Sequence, residues 1–135
     1  MYNFSFSSGS FYFLTGSSGV GKTSFLKLIY RELKPTEGKI TVFGRDVSTL
    51  TATELPYFRQ RMGLVFQDCR LINGLSILEN VCLSLRILGT NYKRAKIYAH
   101  ELLEWVGLAT HLYEYPSSLS DGQKQRVAIA RAVIT

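Results

Sequence analysis

The sequence predicts an α/β fold with a parallel-sheet core and a purely helical lobe set into it. Three observations carry that expectation. The apolar, aromatic run Phe11-Tyr12-Phe13-Leu14-Thr15 leads into a glycine-rich loop and then into helical periodicity, the order strand, loop, helix. Met62-Gly63-Leu64-Val65-Phe66 is a second near-continuous apolar run of strand length, as a strand covered on both faces requires. From Leu71 to about Gly107 there is no strand pattern, and two helical stripes follow one another.

Taken in order, Tyr2-Asn3-Phe4-Ser5-Phe6 alternates apolar and polar residues, which suits a half-buried strand. Ser7-Ser8-Gly9-Ser10 turns it toward Phe11–Thr15, which reads as a buried strand. Phe25, Leu26, Leu28 and Ile29 recur at helical spacing, and that helix is expected to reach about Lys34, where Pro35 stops it and Thr36-Glu37-Gly38 turns the chain. Ile40-Thr41-Val42-Phe43 reads as a strand ending at Gly44. Thr51 and Glu54 have capping-box spacing ahead of a short helix carrying Phe58, Arg59 and Arg61, with Pro56 tolerable in its first turn. The Met62–Phe66 strand delivers Gln67 and Asp68 at its C-terminal end.

Ser76 and Glu79 form a second capping box. Ile77, Leu78, Val81, Leu85 and Leu88 follow on one helix face until Gly89. Tyr98, Ala99, Leu102, Leu103 and Val106 make the stripe of the next helix, which Gly107 ends. Pro116-Ser117-Ser118-Leu119-Ser120-Asp121-Gly122-Gln123 opens a last helix with Val127, Ile129, Ala130 and Val133. The expected organisation is a core over residues 1–67, a helical lobe over 68–115, and a loop and helix over 116–135.

A chain of 135 residues with 46% hydrophobic and 19% charged content is in the range of one domain or part of one, and is not disordered by composition. Its formal charge of +6 permits an anionic partner. The 16 basic residues are scattered, however, and the densest group, Lys93-Arg94-Ala95-Lys96, reads as a solvated helix face. No nucleic-acid partner is expected. Cys69 and Cys82 lack metal-ligand spacing and read as reduced thiols of a cytosolic protein. No apolar run approaches the roughly 18 residues that span a bilayer, and no signal peptide is visible.

The chemistry lies in Gly16-Ser17-Ser18-Gly19-Val20-Gly21-Lys22-Thr23. Two glycines, a lysine and a threonine at these offsets, between a strand and a helix, fit a phosphate-binding loop. Glycines let the backbone wrap a polyphosphate with its N–H groups, and the helix start adds a positive dipole end. Lys22 reaches the β and γ phosphates as a point charge, and the Thr23 hydroxyl can ligate Mg²⁺. The nucleotide contacts expected are Gly16, Ser17, Ser18, Gly19, Val20, Gly21, Lys22, Thr23 and Ser24, with ATP and Mg²⁺ as cofactors.

A second run narrows the nucleotide classes. Leu119-Ser120-Asp121-Gly122-Gln123, followed by Gln125, Arg126 and Ala130-Arg131-Ala132, resembles the LSGGQ signature of ABC-type ATPases, and Gln67 stands where that family has its Q-loop glutamine. Ser120 and the N–H groups of Asp121 and Gly122 offer a second anion site at a helix start. The resemblance implies a P-loop NTPase with a parallel-sheet core, N-terminal antiparallel strands and an inserted helical lobe. It implies a head-to-tail dimer in which the signature of one ATP-binding subunit, Leu119 to Gln123, acts in trans on the γ-phosphate held by the other. Gln67 would join Thr23 at Mg²⁺ and contact the attacking water, so Lys22 and Gln67 are the catalytic candidates. The lobe would dock an integral membrane permease-like partner, with Cys69 to Ile77 as the candidate surface. Phe13-Leu14-Thr15-Gly16, Leu64-Val65-Phe66-Gln67-Asp68 and Arg126–Val133 are most similar to the cell-division branch of the family, the FtsE group. That likeness implies an FtsX-type partner and a location peripheral to the inner face of a bacterial plasma membrane.

Three departures matter. Asp121 stands where the signature usually has Gly, which puts a negative charge near the γ-phosphate and opposes closure. The family's adenine-stacking aromatic has no assignable counterpart, Tyr2 included. Its Walker B Asp, catalytic Glu and switch His would follow the signature helix, so the expectation is a partial domain, inactive and poorly stable by itself. His100 and His111 precede the signature and read as ordinary surface or loop histidines. Other readings stay open: a lipoprotein-release or macrolide-efflux ATPase, a nucleotide binder without turnover, or a soluble ABC-type ATPase acting on nucleic acid. The short 63–107 lobe, without long charged heptads, argues against the last.

Overall fold

The computed structural model describes residues 3–135, so Tyr2, the first residue of the expected N-terminal strand, lies outside them. The chain forms two compact units, Met1–Leu55 and Pro56–Thr135.

In the first unit, the glycine-rich loop enters helix α1, Lys22–Ile29. The expected run to Lys34 is corrected by a Schellman ending. Arg31 sits at the position after the C-cap with φ 63, where glycine is usual. Its N–H donates to the Leu28 carbonyl at 3.2 Å, and the Glu32 N–H donates to the Lys27 carbonyl at 2.8 Å. The buried Arg31 side chain donates from Nε to the Val47 carbonyl at 2.9 Å. That bond offsets part of the left-handed penalty, about 1–2 kcal/mol for a residue with a Cβ.

Strands β1 (Thr41–Val42) and β2 (Arg45–Asp46) pair antiparallel, Thr41 opposite Asp46 and Val42 opposite Arg45. The expected strand over Ile40–Phe43 shrinks because Phe43 (φ 52) and Gly44 (φ 76) form the turn. Two successive left-handed residues are what a type I′ hairpin demands. Asp46 then caps a 3₁₀ turn, Val47–Thr49, by accepting from Ser48 N–H at 2.8 Å. Val47 and Leu50 are buried beneath it.

The strands expected before the glycine-rich loop do not form. The Ser7–Ser10 turn does: Ser10 N–H donates to the Ser7 carbonyl at 3.4 Å, Gly9 has φ 73, and Ser7 N–H donates to Tyr12 Oη at 2.9 Å. Yet Phe11 and Phe13 are 82% and 83% exposed where burial was expected. A strand needs a neighbour for its N–H and C=O groups, and β1–β2 is the only ladder among the described residues. The aromatic rings pack on one another instead, Phe6 edge-on to Tyr12 at 4.8 Å and Phe11 to Phe13 at 4.9 Å.

Thr51 and Glu54 close their capping box, Thr51 N–H to Glu54 Oε2 at 3.0 Å and Glu54 N–H to Thr51 Oγ1 at 3.3 Å. The chain then enters the short helix α2, Leu55–Arg59. In the second unit, Met62–Phe66 is likewise not a strand, for the same want of a ladder. Its Gly63 lies against the last turn of the final helix, where a Cβ would overlap the Ala132 carbonyl oxygen.

Three helices make the core of this unit: α3 (Ile77–Ile87), α4 (Tyr92–Trp105) and α5 (Asp121–Val133). Ser76 and Glu79 cap α3 reciprocally, as expected. Its first two amides are satisfied from outside, Ile77 N–H by the Glu114 carbonyl at 2.9 Å and Leu78 N–H by the Leu112 carbonyl at 3.0 Å. Gly89 (φ 85) and Gly107 (φ 74) end α3 and α4 in Schellman motifs. Thr90 N–H donates to the Leu85 carbonyl at 2.9 Å and Leu108 N–H to the Leu103 carbonyl at 2.7 Å.

Ile77, Val81, Cys82, Ala95, Ala99, Leu103, Leu108 and Val127 are fully buried in one cluster, each large aliphatic worth roughly 1.5–3 kcal/mol. The stripes are narrower than expected: Leu88, Tyr98, Ile129 and Val133 are exposed. Asn80 is fully buried and satisfied, accepting from Ile72 N–H at 2.8 Å and donating to the carbonyls of Ile72, Leu75 and Ser76. It fixes the segment that joins Gln67 to α3. Both cysteines are free thiols. Lys93 and Arg94 are exposed as expected, and Lys96 lies over the Tyr92 ring at 5.3 Å. No helix among the described residues is long and apolar enough to cross a membrane.

Candidate functional site

The glycine-rich loop is built by its glycines and closed by its lysine. Gly19 (φ 79) and Gly21 (φ 100) both have positive φ, a conformation that residues with a Cβ rarely adopt. Gly16 has a steric role instead, since a Cβ there would come within 2.9 Å of Val20 Cγ1. Val20 N–H donates to the Ser17 carbonyl at 3.4 Å, and Phe25 N–H to the Gly21 carbonyl at 2.9 Å. Lys22 Nζ folds back and donates to the carbonyls of Gly16 and Ser17, both at 2.7 Å. The ammonium therefore ties the start of α1 back to the first residues of the loop.

No side chain caps the start of α1, and no acidic residue stands in its first turn. The first amides of a helix have no intrahelical acceptor, so this end is suited to an anion. Thr23 and Ser24 are exposed on that first turn. For Mg²⁺ the donor set fits: it takes hard oxygen ligands and shares them between a nucleotide's phosphates and one or two protein groups, and the Thr23 hydroxyl is such a group.

In the second unit, Ser120 is the N-cap of α5, with ψ 160. Its N–H donates to Gln123 Oε1 at 2.8 Å, and Gln123 N–H returns to Ser120 Oγ at 3.3 Å. Ser120 Oγ thus accepts from inside the helix while its own proton can point outward. Leu119 is buried in the helical core and anchors the corner. Asp121 is fully exposed, with Lys124 Nζ at 3.5 Å from its carboxylate; Gly122 has no heavy atom within 4 Å of where a Cβ would stand. Gln67 is exposed on the turn after Phe66.

The contacts of two further residues were not legible in the sequence. His111, read there as an ordinary loop residue, has Nδ1 2.8 Å from Glu114 Oε1 and Nε2 3.4 Å from Gln123 Nε2. The amide can only donate, so this network fits the tautomer with the proton on Nδ1. Hydrogen bonds from His111 and then Ser118 hold the Glu114 carboxyl below its ordinary range. Arg131, quoted in the sequence only as part of a family-like run, donates from Nη1 to the Arg70 carbonyl and from Nη2 to the Cys69 carbonyl, both at 2.7 Å. Neither partner is near in sequence, so no spacing rule could have paired them.

Against known proteins, the sequence matches the family description "ABC transporter" over residues 1–135. It is 40% identical over 126 residues to the cell division ATP-binding protein FtsE of Bacillus subtilis, covering 93% of this chain and 55% of that protein. It is 45% identical over 127 residues to the methionine import ATP-binding protein MetN 2 of Pseudomonas aeruginosa, covering 93% of this chain and 38% of that protein. Among solved structures, an ATP-binding cassette captured as a dimer in a post-hydrolysis state with ADP and Pi superimposes with a TM-score of 0.81 at 36% identity, over 87% of this chain and 53% of that one. The chain spans about half the length, or less, of the relatives it matches. With the P-loop fold shared at that level and the family matched along the whole sequence, this chain belongs to the ABC transporter family and has the fold of its ATP-binding cassettes.

Proposed function

We propose that this chain is the ATP-binding part of an ABC-type complex, coupling ATP binding and hydrolysis to a membrane partner. The observation that carries the reading is the glycine-rich loop closed by Lys22 Nζ, 2.7 Å from two of its carbonyls. An incoming triphosphate exchanges those carbonyls for phosphate oxygens, while the α1 amides and Gly19–Gly21 backbone cradle it. Thr23 supplies a hydroxyl to Mg²⁺, and Gln67 senses the metal and the attacking water. A second ATP-binding subunit presents its Ser120-Asp121-Gly122 corner to the γ-phosphate, which agrees with the dimeric form of the cassette it resembles. The domain division follows the same reading: core 1–67, lobe 68–115, signature loop and helix 116–135.

The test is Lys22→Ala with a fluorescent ATP analogue. Binding should weaken about 100-fold, the range expected for removing a charge-assisted contact of 1.5–3 kcal/mol or more; unchanged affinity overturns the reading.

Within the family we assign the chain to the cell-division type with an FtsX-like partner, on the FtsE likeness. A second reading, an importer subunit, is favoured by the 45% identity to MetN 2. Which membrane protein copurifies with the tagged chain separates the two: a permease of amino-acid import supports the second and removes the first.

A further inference from the structure

The turn that carries Gln67 is strained, and one side chain from a distant helix helps to hold it. After Gln67 and Asp68, Cys69 (φ 57) and Arg70 (φ 43) are both left-handed and neither is glycine. Arg70 N–H donates to the Asp68 carbonyl at 2.7 Å, so Cys69 is the centre of a three-residue turn of the rarer, strained hand. Such conformations persist only where the surroundings over-determine them. Three contacts do so here. Cys69 N–H donates to the Phe66 carbonyl at 3.0 Å. The Arg70 guanidinium stacks on the Phe66 ring at 4.0 Å and reaches Asp68 at 3.6 Å. The third is Arg131: its fork takes the two consecutive carbonyls of the strained pair, each at 2.7 Å.

Arg131 lies in the last turn of the helix whose first residues form the Ser120 corner. Its own carbonyl accepts from Ser84 Oγ at 3.2 Å, which ties the same turn to α3. The guanidinium is partly buried, and bonds from a charged donor to a carbonyl are stronger than neutral ones. A thirteen-residue helix is a rigid rod about 20 Å long. One end carries the signature corner and the other grips the backbone two residues beyond Gln67.

We propose that Arg131 is a positioning residue: by clasping the Cys69 and Arg70 carbonyls it holds the Gln67 turn in its strained form and makes that turn move with the signature helix. The proposal deepens the functional reading above and rests on Gln67 acting at the Mg²⁺–nucleotide.

The experiment is made on the full-length protein with Arg131→Lys, which keeps the charge and removes the fork. Losing one or both charge-assisted bonds should lower kcat about 10- to 100-fold with KM for ATP within about twofold. Amide exchange at Cys69 and Arg70 should accelerate by a similar factor. Adding Cys69→Gly, which removes the left-handed penalty, should restore about tenfold of the loss. A purely structural strut predicts the opposite pattern: kcat, KM and thermal stability falling together, without rescue by glycine. That result overturns the proposal, as does R131K with kcat and exchange unchanged. Should R131K not fold, exchange in the unsubstituted protein decides. On adding Mg²⁺–ATP, protection at residues 68–70 and at 129–133 should rise together, and independent changes sink the idea. Gln67→Ala separates the two claims. If it leaves kcat intact, the role given to Gln67 fails, whereas the clasp is still read by exchange at Cys69 and Arg70.

Discussion

The two units of this chain are built on different kinds of information. In residues 56–135, three helices meet in a cluster of buried, mostly aliphatic side chains, and several of their ends carry local signals: Ser76 with Glu79, Gly89 and Gly107. In residues 3–55, α1 has no buried residue, the one ladder among the described residues is two residues long, and Phe4, Phe11 and Phe13 are largely exposed. A helix satisfies its backbone within itself and needs only one apolar stripe covered. An apolar run becomes a strand only when another backbone lies beside it. The glycine-rich loop is the exception in the first unit. It closes on its own amides, carbonyls and lysine, and so keeps its geometry where the apolar runs around it do not pair.

That contrast can be attacked from the helical side first. Leu103→Ala empties a fully buried position and should cost about 2–5 kcal/mol; denaturant-dependent hydrogen exchange of the α3 and α4 amides measures it. A cost under about 1 kcal/mol would mean that the cluster is not what stabilises this unit. Gly107→Ala comes next. Gly107 is left-handed at φ 74 and its Cβ would stand 3.2 Å from Arg126 Nη1, while Arg126 Nη1 is bonded to the Val106 carbonyl at 2.9 Å. The expected loss is about 1–3 kcal/mol, read as a shift of the urea midpoint at unchanged slope. A neutral result would break the link between glycine and helix ending.

The smallest effect is a pH dependence in the first unit. Glu54 is held down to about 2 by the Thr51 N–H, then by Arg45 and the Thr51 hydroxyl. Because its folded value lies below its free one, its contribution is complete above about 4.5 and fades as pH falls toward 2. Glu54→Gln should therefore lower stability modestly at pH 7 and leave it unchanged at pH 2. Equal effects at both pH values would show that the carboxylate is not the stabilising form. In the second unit Glu79, lowered first by the Ser76 hydroxyl, gives the matching control.

What was legible in the sequence follows the same division. Ser76 with Glu79, Thr51 with Glu54, Gly89 and Gly107 each carry their partner within a few residues, and each does in the structure what its spacing predicts. The end of α1 was missed because its left-handed residue is Arg31, held by a carbonyl sixteen positions away, and nothing local marks an arginine for that role. The runs Phe11–Thr15 and Met62–Phe66 show hydrophobicity without saying what would cover it. Among the candidate residues, the glycine-rich loop ahead of α1 and the Ser120 start of α5 are local motifs, and their positions before a helix were readable. Arg131 with Cys69 and Arg70, and His111 with Gln123, are meetings across the fold and were not.

Gly63 carries a consequence for how this protein can diverge. Its backbone rests on the Ala132 carbonyl, and even a methyl group at that position collides with main chain rather than with a side chain that could rotate away. Drift at codon 63 is therefore closed unless the end of α5 moves as well, and that end carries Arg131. A lineage that acquired alanine there would need its compensating change in the last helix, so these two stretches are expected to vary as an epistatic pair.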